Sequence, residues 1–186
     1  PVIHRRQRQM CIRDRYVAAF TTSHARLRLY KELELLGEQV LYHDTDSIVY
    51  VSRPGNYEVP TGNMLGEWED ELHGEHMVNV WTSGGPKSYA YQLSDGSTTC
   101  KVKGFNLKRS DTAKLIHYNS MKGLVEDRYH QNVETKIRTT QTMIKRVKTH
   151  ALLKTEEQSK ELRVQYTKGN VVVHRNNMVE TLPFGY

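Results

Sequence analysis

The sequence predicts an α+β chain built on antiparallel strands, and three observations predict it. A polar tetrapeptide, Asp44-Thr45-Asp46-Ser47, sits between two apolar runs rich in β-branched and aromatic residues, the pattern of a hairpin. Residues 87–93 and 98–103 alternate in character around Ser94-Asp95-Gly96-Ser97, which marks a second hairpin. Residues 16–36 carry apolar side chains at helical spacing, and the last third of the chain turns basic. The expected architecture is an antiparallel sheet with a carboxylate hairpin and a supporting helix, followed by a small basic subdomain.

Composition narrows the class. With 186 residues the chain suffices for one domain or two small ones, and 37% hydrophobic content with a mean hydropathy of −0.69 fits a modest core. No apolar run approaches the roughly 18 residues of a membrane span, and no secretory signal is visible, so no membrane partner is expected. Two cysteines, Cys11 and Cys100, make neither a disulfide framework nor a metal motif, which points to reducing, intracellular conditions. Charge is unevenly spread. Residues 1–36 hold eight Lys/Arg against three acids, residues 37–106 four against ten, and residues 107–186 fifteen against eight. An acidic middle and a basic end suggest cation handling followed by polyanion binding. A solvated helical surface is the competing explanation of the basic end.

Taken in order, residues 1–15 are basic and without apolar periodicity, and are expected to be an unstructured or non-native leader. Met10-Cys11-Ile12-Arg13-Asp14-Arg15 resembles translated sequencing-adapter DNA. Residues 16–36 read as a helix with Val17, Phe20, Leu27 and Tyr30 on a core-facing stripe, closed by Gly37. Residues 40–43 and 48–51 read as the strands of the first hairpin. A loop opens at Pro54-Gly55, and residues 65–72 form at best a short acidic helix. Residues 77–82 read as a strand, Ser83-Gly84-Gly85-Pro86 as a turn, and residues 87–93 and 98–103 as paired strands. A helix is expected from Asp111 to about residue 122, broken at Gly123. Residues 133–153 are equally compatible with helix or strand, residues 155–165 are polar, residues 171–173 form a short strand, and residues 181–186 an irregular tail.

The first hairpin carries chemistry. Residues two apart on a ribbon point to one side, so Asp44 and Asp46 are expected to face the same way. Two carboxylates held close repel each other unless a cation or a shared proton intervenes. A hard divalent cation such as Mg²⁺ takes one or two carboxylates together with substrate phosphates. A turn that merely satisfies its own backbone is the plain alternative. The strand of residues 87–93 places Lys87, Tyr89 and Tyr91 on one face, where a lysine grips phosphate while a ring packs on a sugar or base. Its partner carries Lys101 and Lys103, and antiparallel pairing brings Lys103 to the Lys87 end. An edge strand with an exposed lysine is the plain reading of that feature.

Together these stretches resemble a family of enzymes. Tyr42-His43-Asp44-Thr45-Asp46-Ser47 resembles the Y-x-D-T-D-S palm motif of family B DNA polymerases of the protein-primed type, found in adenoviruses, linear plasmids and Polinton/Maverick transposons. Gly85-Pro86-Lys87-Ser88-Tyr89-Ala90-Tyr91 resembles the P-K-x-Y motif, and Lys101-Val102-Lys103-Gly104-Phe105 the K-x-K-G element. Phe20-Thr21-Thr22-Ser23-His24-Ala25-Arg26-Leu27 is similar to the helix that leads into the aspartates. Leu182-Pro183-Phe184-Gly185-Tyr186 looks like a family ending. The resemblance covers residues 16–106 well and 107–186 weakly.

The resemblance implies that residues 16–106 are the C-terminal part of a polymerase palm and 107–186 a thumb. It implies two Mg²⁺ ions (Mn²⁺ the alternative), held by Asp46 directly and by Asp44 as the second carboxylate, and nucleotidyl transfer from dNTP to a primer 3′-hydroxyl. Lys87 and Tyr89 would then steady the primer terminus, with Lys101 and Lys103 near its phosphates and the thumb gripping duplex through its backbone. Primer-template DNA and a terminal priming protein are the implied partners, with the nucleus as the compartment for a eukaryotic virus or transposon. The family's further metal-binding aspartate and its fingers lysine lie upstream of the aspartate hairpin and have no counterpart here. The chain is therefore expected to be a C-terminal fragment, inactive alone. Two rivals differ in class: a D-x-D glycosyltransferase, for which no βαβ pattern precedes Asp44, and a non-catalytic nucleic-acid-binding module.

Overall fold

The structure is a computed structural model that describes residues 2–72, 76–146, 153–166, 170–174 and 179–182. It is mixed α and β, with helices and small antiparallel sheets. The chain divides into two compact units, Pro1–Glu71 and Leu72–Tyr186. Among the described residues no helix is long and apolar enough to cross a membrane.

The first unit opens with helix α1 (Val2–Leu36), followed by a 3-10 turn (Gly37–Gln39) and the hairpin β1 (Val40–Asp44) and β2 (Ser47–Tyr50). The helix runs back through the segment expected to be an unstructured leader. That segment lacks apolar periodicity, yet after Pro1 it contains neither proline nor glycine, and its arginines and glutamines are good helix formers. Gly37 stops the helix at φ 52°, as a C-terminal glycine does.

The core stripe expected on α1 is overturned. Val17, Phe20, Leu27 and Tyr30 are all at least half exposed, whereas Leu29, Glu32 and Leu36 are buried. The reason is length. A 35-residue helix spans about 52 Å, and two strands of four or five residues cover only its last turns. The loop after β2 folds over those turns. The Tyr57 hydroxyl donates to Glu32 Oε2 at 2.7 Å, Gln39 Nε2 donates to the Leu36 and Tyr57 carbonyls, and Val51 N–H donates to the Gln39 carbonyl. The acidic helix expected near residues 65–72 does not form. Gly66 sits at φ 90°, outside helical space, and a bridge joins Thr61 to Trp68 instead.

The second unit begins with the three-stranded sheet β3 (Val78–Gly85), β4 (Ser88–Leu93) and β5 (Thr98–Val102), in that spatial order. Two helices follow, α2 (Ser110–Leu115) and α3 (Tyr118–His130). The expected break at Gly123 falls inside α3, and the chain turns at Ile116-His117 instead, where Ser120 Oγ accepts the His117 N–H at 2.9 Å. One helical glycine costs about 1 kcal/mol. The buried Met121 and Leu124 that flank it stabilise by about 1.5–3 kcal/mol each.

Those two residues pack with Ala90, Val102, Ile116 and Leu162 into one core, with Leu107 and Val164 against it. The palm–thumb division expected after residue 106 therefore falls within a single packed unit. Leu162 comes from the ten-pair hairpin β6 (Ile137–Arg146) and β7 (Leu153–Leu162); β6 lies in the stretch equally compatible with helix or strand, and most of β7 in the run read as polar. Burial on this hairpin concentrates near its base, at Thr139, Gln141 and Leu162, so little apolar alternation was available to read. Last come β8 (Asn170–Val173) and β9 (Val179–Leu182), paired with each other. Thr181 and Leu182 of the expected irregular tail are thus in a strand, while residues 183–186 lie outside the described residues.

Candidate carboxylate hairpin and cationic cleft

The β1–β2 ladder closes on the pair Asp44↔Ser47, leaving Thr45 and Asp46 as the two turn residues. Thr45 has φ 48°, and Asp46 N–H donates to the Asp44 carbonyl across it, a γ-turn of the strained kind. A β-branched residue is a poor occupant of positive φ, and backbone outliers of this sort cost on the order of 1–3 kcal/mol. Pleat alternation ends at Asp44, so the sequence rule that set Asp44 and Asp46 on one side does not reach Asp46. Asp44 is half-buried and its Oδ1 accepts from the Thr45 hydroxyl, while Asp46 is exposed at the tip. Ser47 Oγ donates to the Asp44 carbonyl at 3.1 Å and ties the turn to the strand.

These two carboxylates are hard oxygen donors, and their chemistry suits a Mg²⁺ or Mn²⁺ ion that takes its remaining ligands from substrate phosphates and water. Among the described residues, no group of three or more His, Cys, Asp or Glu is gathered as a metal site.

The lysine motifs lie in the second unit. The β3–β4 ladder closes on Gly85↔Ser88, so Pro86 and Lys87 are its turn. Proline followed by a residue at φ 58° has the φ signature of a type II turn, whose second position usually takes glycine. Lys87 is thus a turn residue and not a member of the strand face assigned to it. Tyr89 and Tyr91 do share that face, joined by Trp81, which pairs with Tyr91 across the ladder. The three rings stack, with centroids 4.8 Å apart for Trp81–Tyr89 and 5.9 Å for Trp81–Tyr91. Lys101 stands opposite Tyr89 and holds its Nζ 5.8 Å from the ring centroid, a cation–π contact. Trp81 was missed in the sequence, because it lies on β3 and only the ladder register sets it beside the tyrosines of β4.

Just beyond the same end of these strands, Lys103 N–H donates to the Lys87 carbonyl at 2.8 Å, so the two lysines lie across from each other. They line a cleft of about 680 Å³ together with Gly84, Gly85, Val102, Glu161, Arg163 and Gln165. Gly85 is required by close approach of backbone, and Gly84 is tightly approached by a side chain. A Cβ on Gly84 would lie 2.8 Å from Met121 Sδ, and one on Gly85 would lie 2.1 Å from the Gln165 carbonyl oxygen. The hydrogen bond from Gln165 N–H to the Gly84 carbonyl and that from the Tyr166 hydroxyl to the Ser83 carbonyl, both 2.9 Å, lash residues 163–166 along β3.

Much of the basic charge of the last third is already matched. Arg138 reaches Glu161 at 2.7 Å and Lys145 reaches Glu156 at 2.8 Å, and each cation holds its carboxyl below the usual carboxylate range. Lys160 donates to the Gly104 carbonyl at 2.6 Å and lies over the Phe105 ring. Glu161, which lines the cleft, is therefore ionised but compensated, and the cleft's basic side chains are Lys87, Lys103 and Arg163. Arg163 was also missed, because residues 155–165 read as a featureless polar run.

The aspartates belong to the first unit and the lysines to the second, and β1–β2 is hydrogen-bonded as a sheet separate from β3–β5. Every strand ladder is antiparallel, so no parallel βαβ unit precedes Asp44 among the described residues. No protein-family model matches the chain, and neither a curated protein nor a solved structure does.

Proposed function

We propose that the chain is palm and thumb sequence of a DNA-directed DNA polymerase of the family B, protein-primed type, acting on primer-template DNA and dNTP, with a terminal priming protein as partner. The observation that carries the reading is the ordered set of three motifs. Asp-Thr-Asp-Ser stands at a hairpin tip, Pro-Lys-Ser-Tyr opens β4, and Lys-Val-Lys-Gly ends β5 directly across from it. Asp44 and Asp46 are the residues that would hold Mg²⁺ or Mn²⁺. When bound, such ions activate a primer 3′-hydroxyl and stabilise the leaving pyrophosphate. Lys87 and Lys103 bind backbone phosphate, Lys101 holds the Tyr89 ring in place, and Tyr89 packs against the primer sugar.

In a polymerase that carries this segment, Asp46→Ala is expected to abolish nucleotide incorporation in a primer-extension assay while the primer-template Kd stays within about twofold. Retained incorporation would refute the catalytic role, and loss of the folded state would return Asp46 to a turn former.

One observation favours a second reading, a nucleic-acid-binding module without chemistry: the cationic cleft is lined entirely by residues of the second unit and needs neither aspartate. Binding that persists with Asp44 and Asp46 both replaced, in a protein that never extends a primer, would select it.

A further inference from the structure

The motifs place two cations in the cleft, but the fold delivers a third from a part of the chain that no motif marks. Arg163 lies just past β7 and lines the same cleft as Lys87 and Lys103. Its backbone is positioned by the lashing described above. Gln165 N–H is held by the Gly84 carbonyl, the Tyr166 hydroxyl by the Ser83 carbonyl, and Gly85 has no Cβ because the Gln165 backbone occupies that space. The residue before it, Leu162, is buried in the core, so the segment is anchored on both sides of the arginine.

The electrostatics point the same way. Glu161, the acid that lines the cleft, is matched by Arg138, and Lys160 is spent on the Gly104 carbonyl and the Phe105 ring. Arg163 itself meets Glu134 at 3.4 Å, with both side chains more than two-fifths exposed, an ion pair of small worth in water. A guanidinium has five N–H donors in a planar fork, so one carboxylate contact leaves donors for a phosphate.

From this juxtaposition we infer that Arg163 is a third phosphate-binding residue of the cleft, and that residues 163–166 are a strap whose purpose is to present it to the cleft that Lys87 and Lys103 line. The ligand class is a nucleic-acid backbone, because three cations from three strand ends suit a chain of linked phosphates. The inference rests on the polynucleotide-binding part of the proposed function and on no catalytic step.

The test is fluorescence anisotropy of a labelled primer-template oligonucleotide, titrated with the full chain at salt concentrations from 50 to 200 mM. Each phosphate contact adds about 0.9 to the slope of log K against log salt on duplex DNA. Arg163→Ala is expected to lower the slope by about 0.9, so the loss of affinity over that fourfold salt range shrinks by about three- to fourfold. Arg163→Lys keeps most of the slope. Glu134→Gln is the discriminating control, since it removes the same ion pair yet leaves the arginine. It is expected to leave binding unchanged or tighter, whereas a purely structural pair would make it behave like Arg163→Ala.

An unchanged slope in Arg163→Ala overturns the inference, and if Lys87→Ala still lowers the slope the polymerase reading survives that failure. A lowered slope in Arg163→Ala with none in Lys87→Ala supports the cleft and removes the motif's lysine from it. Absence of DNA binding by the unaltered chain overturns both. Competition by inorganic pyrophosphate at concentrations that leave duplex DNA unable to compete would reassign the site to a free phosphate ligand and overturn the polynucleotide assignment.

Discussion

The chain makes two tight hairpins of equal loop length and opposite charge, and they are held in different ways. At the β1–β2 tip Thr45 sits at φ 48° between two aspartates; at the β3–β4 tip Lys87 sits at φ 58° after a proline. Neither residue is suited to positive φ, and such strain persists only where the surroundings over-determine it. The lysine turn has that support. Gly84 packs on Met121, Gly85 on the strap, and Lys103 N–H on the Lys87 carbonyl. The aspartate turn is held by short-range bonds, from Ser47 Oγ and Asp46 N–H to the Asp44 carbonyl. Within their own units, then, the lysine turn is braced by packing, and the aspartate turn carries bonds among its own residues.

The largest effect expected from that contrast is at Gly85. Gly85→Ala introduces a Cβ onto the Gln165 backbone at φ 125° and should cost about 3–4 kcal/mol, read as a lowered urea midpoint, with release of the strap. Gly96→Ala, at φ 83° with open space around it, should cost only about 1 kcal/mol. Equal costs would mean that the close approach is unimportant.

Next comes the difference between the two apolar sets. Met121→Ala empties a fully buried position and should cost about 3 kcal/mol. Phe20→Ala, 64% exposed on α1, should stay within about 0.5 kcal/mol in the same denaturation experiment. A loss of several kcal/mol at Phe20 would show that the α1 stripe is covered in solution.

Smaller again, Thr45→Gly and Lys87→Gly should each stabilise by about 0.5–1 kcal/mol by relieving positive φ. Lys87→Gly should also weaken DNA binding and flatten its salt dependence, so stability and binding move in opposite directions at the lysine turn. Parallel movement at both turns would erase the distinction between them.

The smallest effect concerns the thiol beneath the β3–β5 sheet. Burial pushes Cys100 up from 9.0 to about 11. Because the raised value favours the protonated form in the folded protein, its contribution is fully present below pH 9 and is lost as pH rises towards 11. In a Cys11→Ser background, alkylation by iodoacetamide at pH 8 should be many times slower in the folded protein than in urea. Equal rates would place Cys100 in water.

Several elements were legible because their signals are local. Asp-Thr-Asp-Ser between β-branched runs, Ser-Asp-Gly-Ser between alternating strands, and Gly37 after a breaker-free helix each specify a conformation over a few residues. The β6–β7 hairpin was not legible, since its buried positions cluster near its base and the rest faces solvent. The α1 stripe misled for a related reason: periodicity reports that a face is apolar, and only the length of the neighbouring strands decides how much of it is covered.

What the sequence by itself determined is the chemistry available: two carboxylates at one turn, three lysines and two tyrosines along a pair of strands, and an acidic middle before a basic end. What only the tertiary structure decided is which of these groups share a surface. Trp81 joined the tyrosines because strand register set it opposite Tyr91, and Arg163 joined Lys87 and Lys103 because Gly85 leaves room for the chain after β7 to lie against β3. Both are long-range consequences of close packing, and close packing leaves no periodic trace in the residues it brings together.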